Sequence, residues 1–468
     1  MIDTSRDIIG SSHHVYLIGI GGVGMSALAR VLKYQGLQVS GSDARENNTT
    51  KQLLTEGIRV YIGQNETRFQ DVDTVIYSTA IGTQHLELKT ARQMGLKVYH
   101  RAEVLSSLLN QAETSIAVTG THGKTTTSSM VAYVMSQAGR RPTCLVGGDV
   151  LNFGTNTILG DKNLWVSEVD ESDKSHELYA PNYVILTNLE MDHVDHYAAM
   201  QDLESSFLRF LSNLRDPGVV IYSEDDEILD RVVHESGRPH ISFGLSTTAD
   251  YSAQEIKINA FGTEFDFYEA GFFSATVRLS VPGIHNVRNA LGVMALLIQM
   301  GMDPSEIGNY LSSFRGAKRR LEVKFKTDDV VVVDDYAHHP TEVKASLKAL
   351  KGVGKKVIAI FQPHRFSRTS HFIKEFSQAF EDADELILTD VYSAGEANLE
   401  NINVNMICEQ VKKNGHPPVI TLAKEAITRY LLEHLTPGSI IAFLGAGDIG
   451  DIADEFACRF KNNIASKS

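Results

Sequence analysis

The segment Thr119-Gly120-Thr121-His122-Gly123-Lys124-Thr125-Thr126-Thr127 constrains this chain more than any other. An apolar run, Ile116-Ala117-Val118, leads into it, and Met130, Val131, Val134 and Met135 follow at the spacing of a helix face. Strand, glycine turn, Lys-Thr and helix is the arrangement that cradles a nucleotide triphosphate. N–H groups of the turn and helix start point at phosphate oxygens, and the helix dipole favours their charge. On this reading Lys124 reaches the β- and γ-phosphates and the Thr125 hydroxyl ligates Mg²⁺. The spacing departs from the common form, which puts a Gly where Val118 stands. The alternative is a Gly-Thr loop with an exposed lysine, and such a lysine adds little to stability.

A chain of 468 residues exceeds what one hydrophobic core organises, so about two to four domains are expected. A net charge of −14 without a long basic run argues against nucleic acid or an anionic membrane as partner. Phosphate can still bind in a local pocket of N–H groups and cations. No apolar run has the length of a membrane span, and Met1 to Ser12 lacks a signal peptide's apolar core, so a cytoplasmic location is expected. Cys144, Cys408 and Cys458 have no paired metal-ligand spacing and are expected as thiols. Nothing in the sequence sets an oligomeric state.

Upstream of the loop, Val15-Tyr16-Leu17-Ile18 runs into Gly19-Ile20-Gly21-Gly22-Val23-Gly24 and a helix-like stretch from Met25. This is a Gly-x-Gly-x-x-Gly turn between strand and helix, used for NAD, FAD and nucleotide sugars alike. A strand ending at Asp43 supplies the acidic residue that commonly meets a ribose hydroxyl. Further strands at 74–78 and 96–99 flank a helix, giving a parallel sheet, and a polar helix from Arg101 to Glu113 leads onward.

Downstream, Leu164-Trp165-Val166 runs into Glu168-Val169-Asp170-Glu171-Ser172-Asp173. Carboxylates clustered at a strand end after a phosphate loop suit Mg²⁺. A strand to Asn188 ends near His193 and His196, whose spacing serves either a metal or an ordinary polar loop. Asn286 and Asn289 stand one helical turn apart and suit a purine edge or an N-cap equally. Farther on, Val330 to Val333 leads into Asp334-Asp335-Tyr336-Ala337-His338-His339, and a strand to Phe361 leads into His364-Arg365-Phe366-Ser367-Arg368. The turn Gly445 to Gly450 sits near the C-terminus with little sheet left to follow, and is read as structural.

Taken in order, the Gly19–Ser26 turn, Thr119–Thr127, Glu168–Asp173, Asn188–His193, His285–Asn289, Arg319-Arg320, Asp334–Pro340 and Phe361–Arg368 resemble the Mur ligases. These enzymes add amino acids to the peptidoglycan precursor. The resemblance spans nearly the whole chain and implies a three-domain α/β protein. Residues 1–110 would form a Rossmann-like domain for UDP, 111–317 a P-loop-type ATPase, and 318–468 a Rossmann-like amino-acid domain. It implies joining L-alanine to UDP-N-acetylmuramate with ATP and Mg²⁺. A related branch that attaches a recycled tripeptide is the alternative, though its first glycine turn usually differs.

The resemblance also implies roles. Gly120, Thr121, His122, Gly123, Lys124, Thr125 and Thr126 would hold the triphosphate, with Asn286 and Asn289 near the adenine. Thr125 and Glu168 would hold one Mg²⁺ and His193 a second. Gly19, Gly21, Gly22, Val23, Gly24 and Asp43 would hold the UDP substrate. Arg320 and Asp335 would come onto the nucleotide, and Tyr336, His338, His364 and Arg365 would meet the acceptor carboxylate and alanine. An oxidoreductase built on the first glycine turn leaves the Lys124 loop unexplained. A nucleotide-driven switch leaves the three-domain order unexplained.

Overall fold

The computed structural model describes residues 7–65, 67–192, 197–259, 262–415 and 417–465. Three sheets carry the fold. The first holds β1 (His14–Ile18), β2 (Gln38–Asp43), β3 (Arg59–Ile62), β4 (Thr74–Tyr77) and β5 (Lys97–His100), in the order β3-β2-β1-β4-β5. All its pairings are parallel. The central strand β1 is buried along its whole length, Val15 and Leu17 packing in one core and Tyr16 and Ile18 in another. A strand covered on both faces reads as an unbroken apolar run.

The second sheet has ten strands: β6 (Thr114–Thr119), β7 (Pro142–Val150), β8 (Thr155–Ile158), β9 (Asp161–Glu168), β10 (Tyr183–Leu186), β11 (Val219–Ser223), β12 (His240–Gly244), β13 (Tyr251–Asn259), β14 (Gly262–Glu269) and β15 (Phe272–Leu279). Their order is β15-β14-β13-β12-β11-β10-β6-β9-β7-β8. β6 lies between β9 and β10, parallel to both, so the loops after these three strands open at one end of the sheet. The helix Lys124–Gln137 is buried from Thr125 through Met135. It is a core helix, apolar beyond a single stripe.

The third sheet holds β16 (Glu322–Lys326), β17 (Val330–Asp335), β18 (Lys356–Phe361), β19 (Glu385–Leu388), β20 (Val419–Thr421) and β21 (Ser439–Leu444), in the order β16-β17-β21-β18-β19-β20. Only β16 among these pairs antiparallel to its neighbour. Along β17, Val331 and Val333 join one core while Val330 and Val332 join the other. The last strand, β21, inserts between β17 and β18. The turn that follows it therefore lies mid-sheet, although it comes near the end of the chain.

Contacts gather the chain into two units: Met1–Ala253 with Phe267–Ala275 and Arg288–Tyr310, and Gln254–Asp266 with Thr276–Val287 and Leu311–Ser468. The helix Arg101–Gln111, expected as polar, buries Val104, Leu105, Leu108, Leu109, Ser106, Ser107 and Asn110. Its small polar side chains pass as buried because they find partners; Asn110, for one, bonds the backbone of Leu178 and Ala180. Among the described residues no helix is long and apolar enough to cross a membrane, and all three cysteines are thiols.

Candidate active site

The phosphate loop leaves β6 and turns on two glycines, Gly120 at φ +123° and Gly123 at φ +84°. A β-carbon at Gly120 would lie 2.4 Å from Thr187 Oγ1 and 2.7 Å from Asn188 O. At Gly123 it would lie 2.6 Å from Asn289 Oδ1. Both positions combine a backbone L-residues avoid with a neighbour in the way. The chain following β10 then grips the loop. His122 N donates to Asn188 Oδ1 at 2.8 Å, and Asn188 Nδ2 and Thr187 Oγ1 donate back to His122 O at 2.9 and 2.6 Å. Thr121 Oγ1 donates to Glu190 O and accepts from Glu190 N, and His122 Nε2 lies 2.9 Å from Glu190 Oε2. Asn188 as a loop clamp is absent from the sequence reading; its signal was the Asn at the end of a buried strand.

Lys124 begins the buried helix, and its environment is not that of the alternative, an exposed lysine. Its side chain is 12% exposed. Nζ donates to Gly120 O at 2.6 Å, Thr121 O at 3.1 Å and Glu171 Oε2 at 2.9 Å. Burial works against the ammonium, but the charges of Glu171, Asp170 and Glu168 outweigh it and raise its pKa. Burial pushes the Glu171 carboxyl up to about 7, with Lys124 pulling the other way. Glu171 sits inside the acidic cluster read from the sequence, yet only the fold shows it to be the counter-ion.

The other carboxylates of that cluster part company. Glu168, closing β9, accepts from Thr125 Oγ1 at 3.1 Å and from Gly147 N at 2.7 Å. Thr125 and Glu168 are thus brought together, two hard oxygen donors beside the loop, which is the donor type Mg²⁺ takes. Asp173 accepts from Thr79 Oγ1 at 3.1 Å. His193 lies outside the described residues. Thr126 is buried in the first turn of the helix. Asn289 faces Gly123, as above, while Asn286, 5% exposed, donates Nδ2 to Pro282 O at 2.8 Å.

At the first sheet, the glycine turn joins β1 to the helix Val23–Tyr34, with Gly22 as its N-cap. Gly19 turns at φ +77°. Asp43, closing β2, accepts from Gly21 N at 2.9 Å, so its carboxylate shapes the turn. Gly24 carries a second feature, one the sequence does not advertise: a β-carbon there would lie 2.9 Å from Arg101 Nη1. A guanidinium therefore rests against the turn. Val23 is exposed.

The second unit gathers its own polar cluster beyond β17 and β18. Asp335 is 4% exposed and accepts from Ser346 Oγ at 2.6 Å and Ala337 N at 3.1 Å. Burial pushes its carboxyl up to about 6, and its bonds brace the turn that presents Tyr336 and His338. The guanidinium of Arg320 lies over the Tyr336 ring, 5.2 Å from its centre, and 3.8 Å from Glu342. His338 Nδ1 sits 2.9 Å from Tyr336 O, and its ring meets His364 edge-on at 5.7 Å. Burial, then His338, Arg368 and Arg365, depress His364 to about 3, so this imidazole is neutral. Arg365 turns at φ +67° and stands 3.9 Å from Glu396. Arg320, Asp335, Tyr336, His338, His364 and Arg365 thus all fall in one region of the second unit.

Family models match along most of the chain: Mur ligase family, catalytic domain over residues 14–113; Mur ligase middle domain over 118–297; and Mur ligase, glutamate ligase domain over 319–447. The chain belongs to the Mur ligase family. Among Mur ligase relatives, a UDP-N-acetylmuramate–L-alanine ligase of Gloeobacter violaceus is 39% identical over 98% of both chains. One of Carboxydothermus hydrogenoformans is 38% identical over 94% of this chain and 95% of its own. Among solved Mur ligases, the UDP-N-acetylmuramate-alanine ligase of Thermotoga maritima superposes with TM-score 0.83 at 29% identity, covering 96% of this chain and 99% of that one. A murein peptide ligase of Psychrobacter arcticus follows at TM-score 0.71 and 25% identity, covering 95% and 98%. The three-domain α/β fold that the resemblance implied agrees with the three family-model matches and the solved relatives.

Proposed function

We propose that this chain joins L-alanine to the lactyl carboxylate of UDP-N-acetylmuramate, converting ATP to ADP and phosphate, as a cytoplasmic step in making the peptidoglycan precursor. What carries this reading is the likeness, end to end, to relatives of that name, 38–39% identical over 94–98% of the chain. The proposed domain boundaries fall near 110 and 317, between the three sheets.

The chemistry runs in two displacements. A carboxylate oxygen bonds to the γ-phosphorus of ATP and ADP leaves, giving an acyl phosphate. The neutral amine of alanine then attacks the acyl carbon, loses a proton, and phosphate departs. The first step brings anion to anion. Lys124 supplies the cation for the γ-phosphate once it exchanges its loop carbonyls for phosphate oxygens. Thr125 and Glu168 are the described residues suited to Mg²⁺, which when bound neutralises phosphate charge. The glycine turn with Val23 and Asp43 holds UDP, with Arg101 beside it, and Asn286 and Asn289 serve the adenine. In the second unit, Arg320 and Asp335 serve the nucleotide, and Tyr336, His338, His364 and Arg365 the amino acid. Water destroys acyl phosphates, so the reacting groups must meet in a site that excludes it.

Phosphate release with UDP-N-acetylmuramate and a panel of amino acids and peptides tests the proposal. L-Alanine should drive release. Release driven by a tripeptide and not by alanine would replace this reading with the recycling ligase.

A further inference from the structure

The turn Gly445–Gly450 has no nucleotide to bind on the reading above, but it has a tyrosine to admit. A β-carbon at Gly447 would lie 2.6 Å from Tyr392 Cγ and 2.4 Å from Gln362 Oε1. Glycine there lets the Tyr392 ring rest against the turn. The ring also stacks on the His364 imidazole, centres 5.6 Å apart and planes inclined by only 11°. Backbone bonds fix the pair: Arg365 N donates to Tyr392 O at 2.8 Å and Tyr392 N to Pro363 O at 2.9 Å. Side chains extend the tie. Glu396 accepts from Ser367 N at 3.1 Å and Ser367 Oγ at 2.8 Å, and Ser370 Oγ donates to Glu400 at 2.9 Å. The segment after β19 is thereby strapped to the segment after β18.

The tautomer follows from the partners. Arg368 Nη1 lies 3.4 Å from His364 Nδ1. A guanidinium only donates, so Nδ1 offers its lone pair and the proton of the neutral ring sits on Nε2. Burial, with the guanidinium charges of Arg368, Arg365 and Arg319 around the ring, keeps it neutral.

The geometry points to Tyr392 as a positioning residue for amino-acid recognition: its ring, backed by Gly447, holds His364 in one plane and one tautomer, presenting Nε2–H as a fixed donor to the incoming amino acid. This rests on the placement of His364 at the amino-acid site proposed above. The stack is made by the ring and not by the hydroxyl, so the two ring substitutions differ in their consequences. Tyr392→Phe should keep all constants within about threefold. Tyr392→Leu, which fills space without a plane, should raise KM for L-alanine about tenfold while kcat and KM for the UDP substrate stay within about threefold. In ¹⁵N-histidine spectra of the full chain, with His364 assigned by a His364→Gln variant, wild type should show distinct pyrrole-like and pyridine-like nitrogens. Tyr392→Leu should move both toward the tautomer average.

An unchanged alanine KM in Tyr392→Leu, an equal rise for the UDP substrate, or an unchanged His364 spectrum would overturn the assignment. Failure of the ligase reading itself would look different. Wild type would then release no phosphate with alanine, while the spectra would still report whether Tyr392 anchors the ring.

Discussion

Replacing Lys124 by Met should cost stability in a pH-dependent way, because it strands Glu171. Glu171 is 1% exposed and lies 2.9 Å from Lys124 Nζ. With the lysine present its carboxyl titrates near 7; without it, burial and Asp170 drive it higher. Below about pH 7 the folded state of either protein carries the proton on Glu171. Above that, wild type ionises it beside an ammonium that stays charged throughout, whereas the variant must keep a proton that the unfolded chain released near pH 4.3. A raised carboxyl loses stability as pH rises, and the variant goes on losing where wild type stops. The gap should therefore widen by about 1.4 kcal/mol per pH unit above 7, to about 3 kcal/mol at pH 9, within reach of the ~3–5 kcal/mol typical of a broken buried pair. Loss of the bonds to Gly120 O and Thr121 O adds about 1–2 kcal/mol at every pH. Calorimetry of both proteins at pH 6, 7, 8 and 9 should show the melting difference growing by about 1–2 °C per unit above 7. Adding Glu171→Gln should flatten the trend. A difference constant from pH 6 to 9 would refute the reasoning. Turnover should meanwhile fall about a thousandfold.

Other consequences can be checked separately. Gly123→Ala forces a left-handed backbone costing about 1–2 kcal/mol and puts a methyl against Asn289; KM for ATP should rise about tenfold or more, with KM for the UDP substrate unchanged. Asp335→Asn should lower kcat yet raise the melting temperature, more at pH 8 than at pH 5, since a carboxyl pushed up to about 6 in the fold loses stability progressively from its unfolded value of about 3.9 and carries the full loss only above about 6. Arg320→Ala should lower kcat with UDP-substrate affinity kept, as isothermal titration would show. Substrate labelled with ¹⁸O in the lactyl carboxylate should deliver one label to phosphate; label in AMP, with pyrophosphate released, would mean adenylation instead.

What the sequence discloses here is what is local in it. A strand, a glycine turn and a helix start are neighbours in the chain, so the Gly19–Gly24 and Thr119–Thr127 turns and the ends of β9, β17 and β18 are all legible. Partners across the fold are not. Lys124 and Glu171 stand 47 positions apart and His122 and Asn188 66, and no periodicity announces which of several carboxylates faces the lysine. Composition misjudged the helix Arg101–Gln111, whose serines and asparagine are buried because other segments satisfy them. Insertion of β21 between β17 and β18 is invisible for the same reason. A strand late in the chain can pair mid-sheet, and only then does Gly447 meet Gln362 and Tyr392.

The departure of the phosphate loop from the common spacing has a structural counterpart. Val118, where the longer form has its first glycine, is a fully buried strand residue in register with Glu168. The turn is thus compressed into the few residues after Thr119, and the two left-handed glycines do the bending. A short loop has fewer N–H groups of its own to settle its shape. Here that shape is imposed from outside: the amide of Asn188 brackets the His122 peptide, and Thr187 and Glu190 fix its neighbours. A nucleotide meeting this loop need not order it, which spares the entropy that a mobile loop would lose. Within the loop, the contacts a phosphate must displace are those of Lys124, whose ammonium occupies the loop's own carbonyls. Because Glu171 is also bonded to that ammonium, the lysine can release Gly120 and Thr121 without entering the low-dielectric interior unpaired. Glu171 therefore does its work by keeping Lys124 charged and nearby while phosphate takes the place of the carbonyls, which is why its removal together with Lys124 should be better tolerated by the fold than the loss of Lys124 alone.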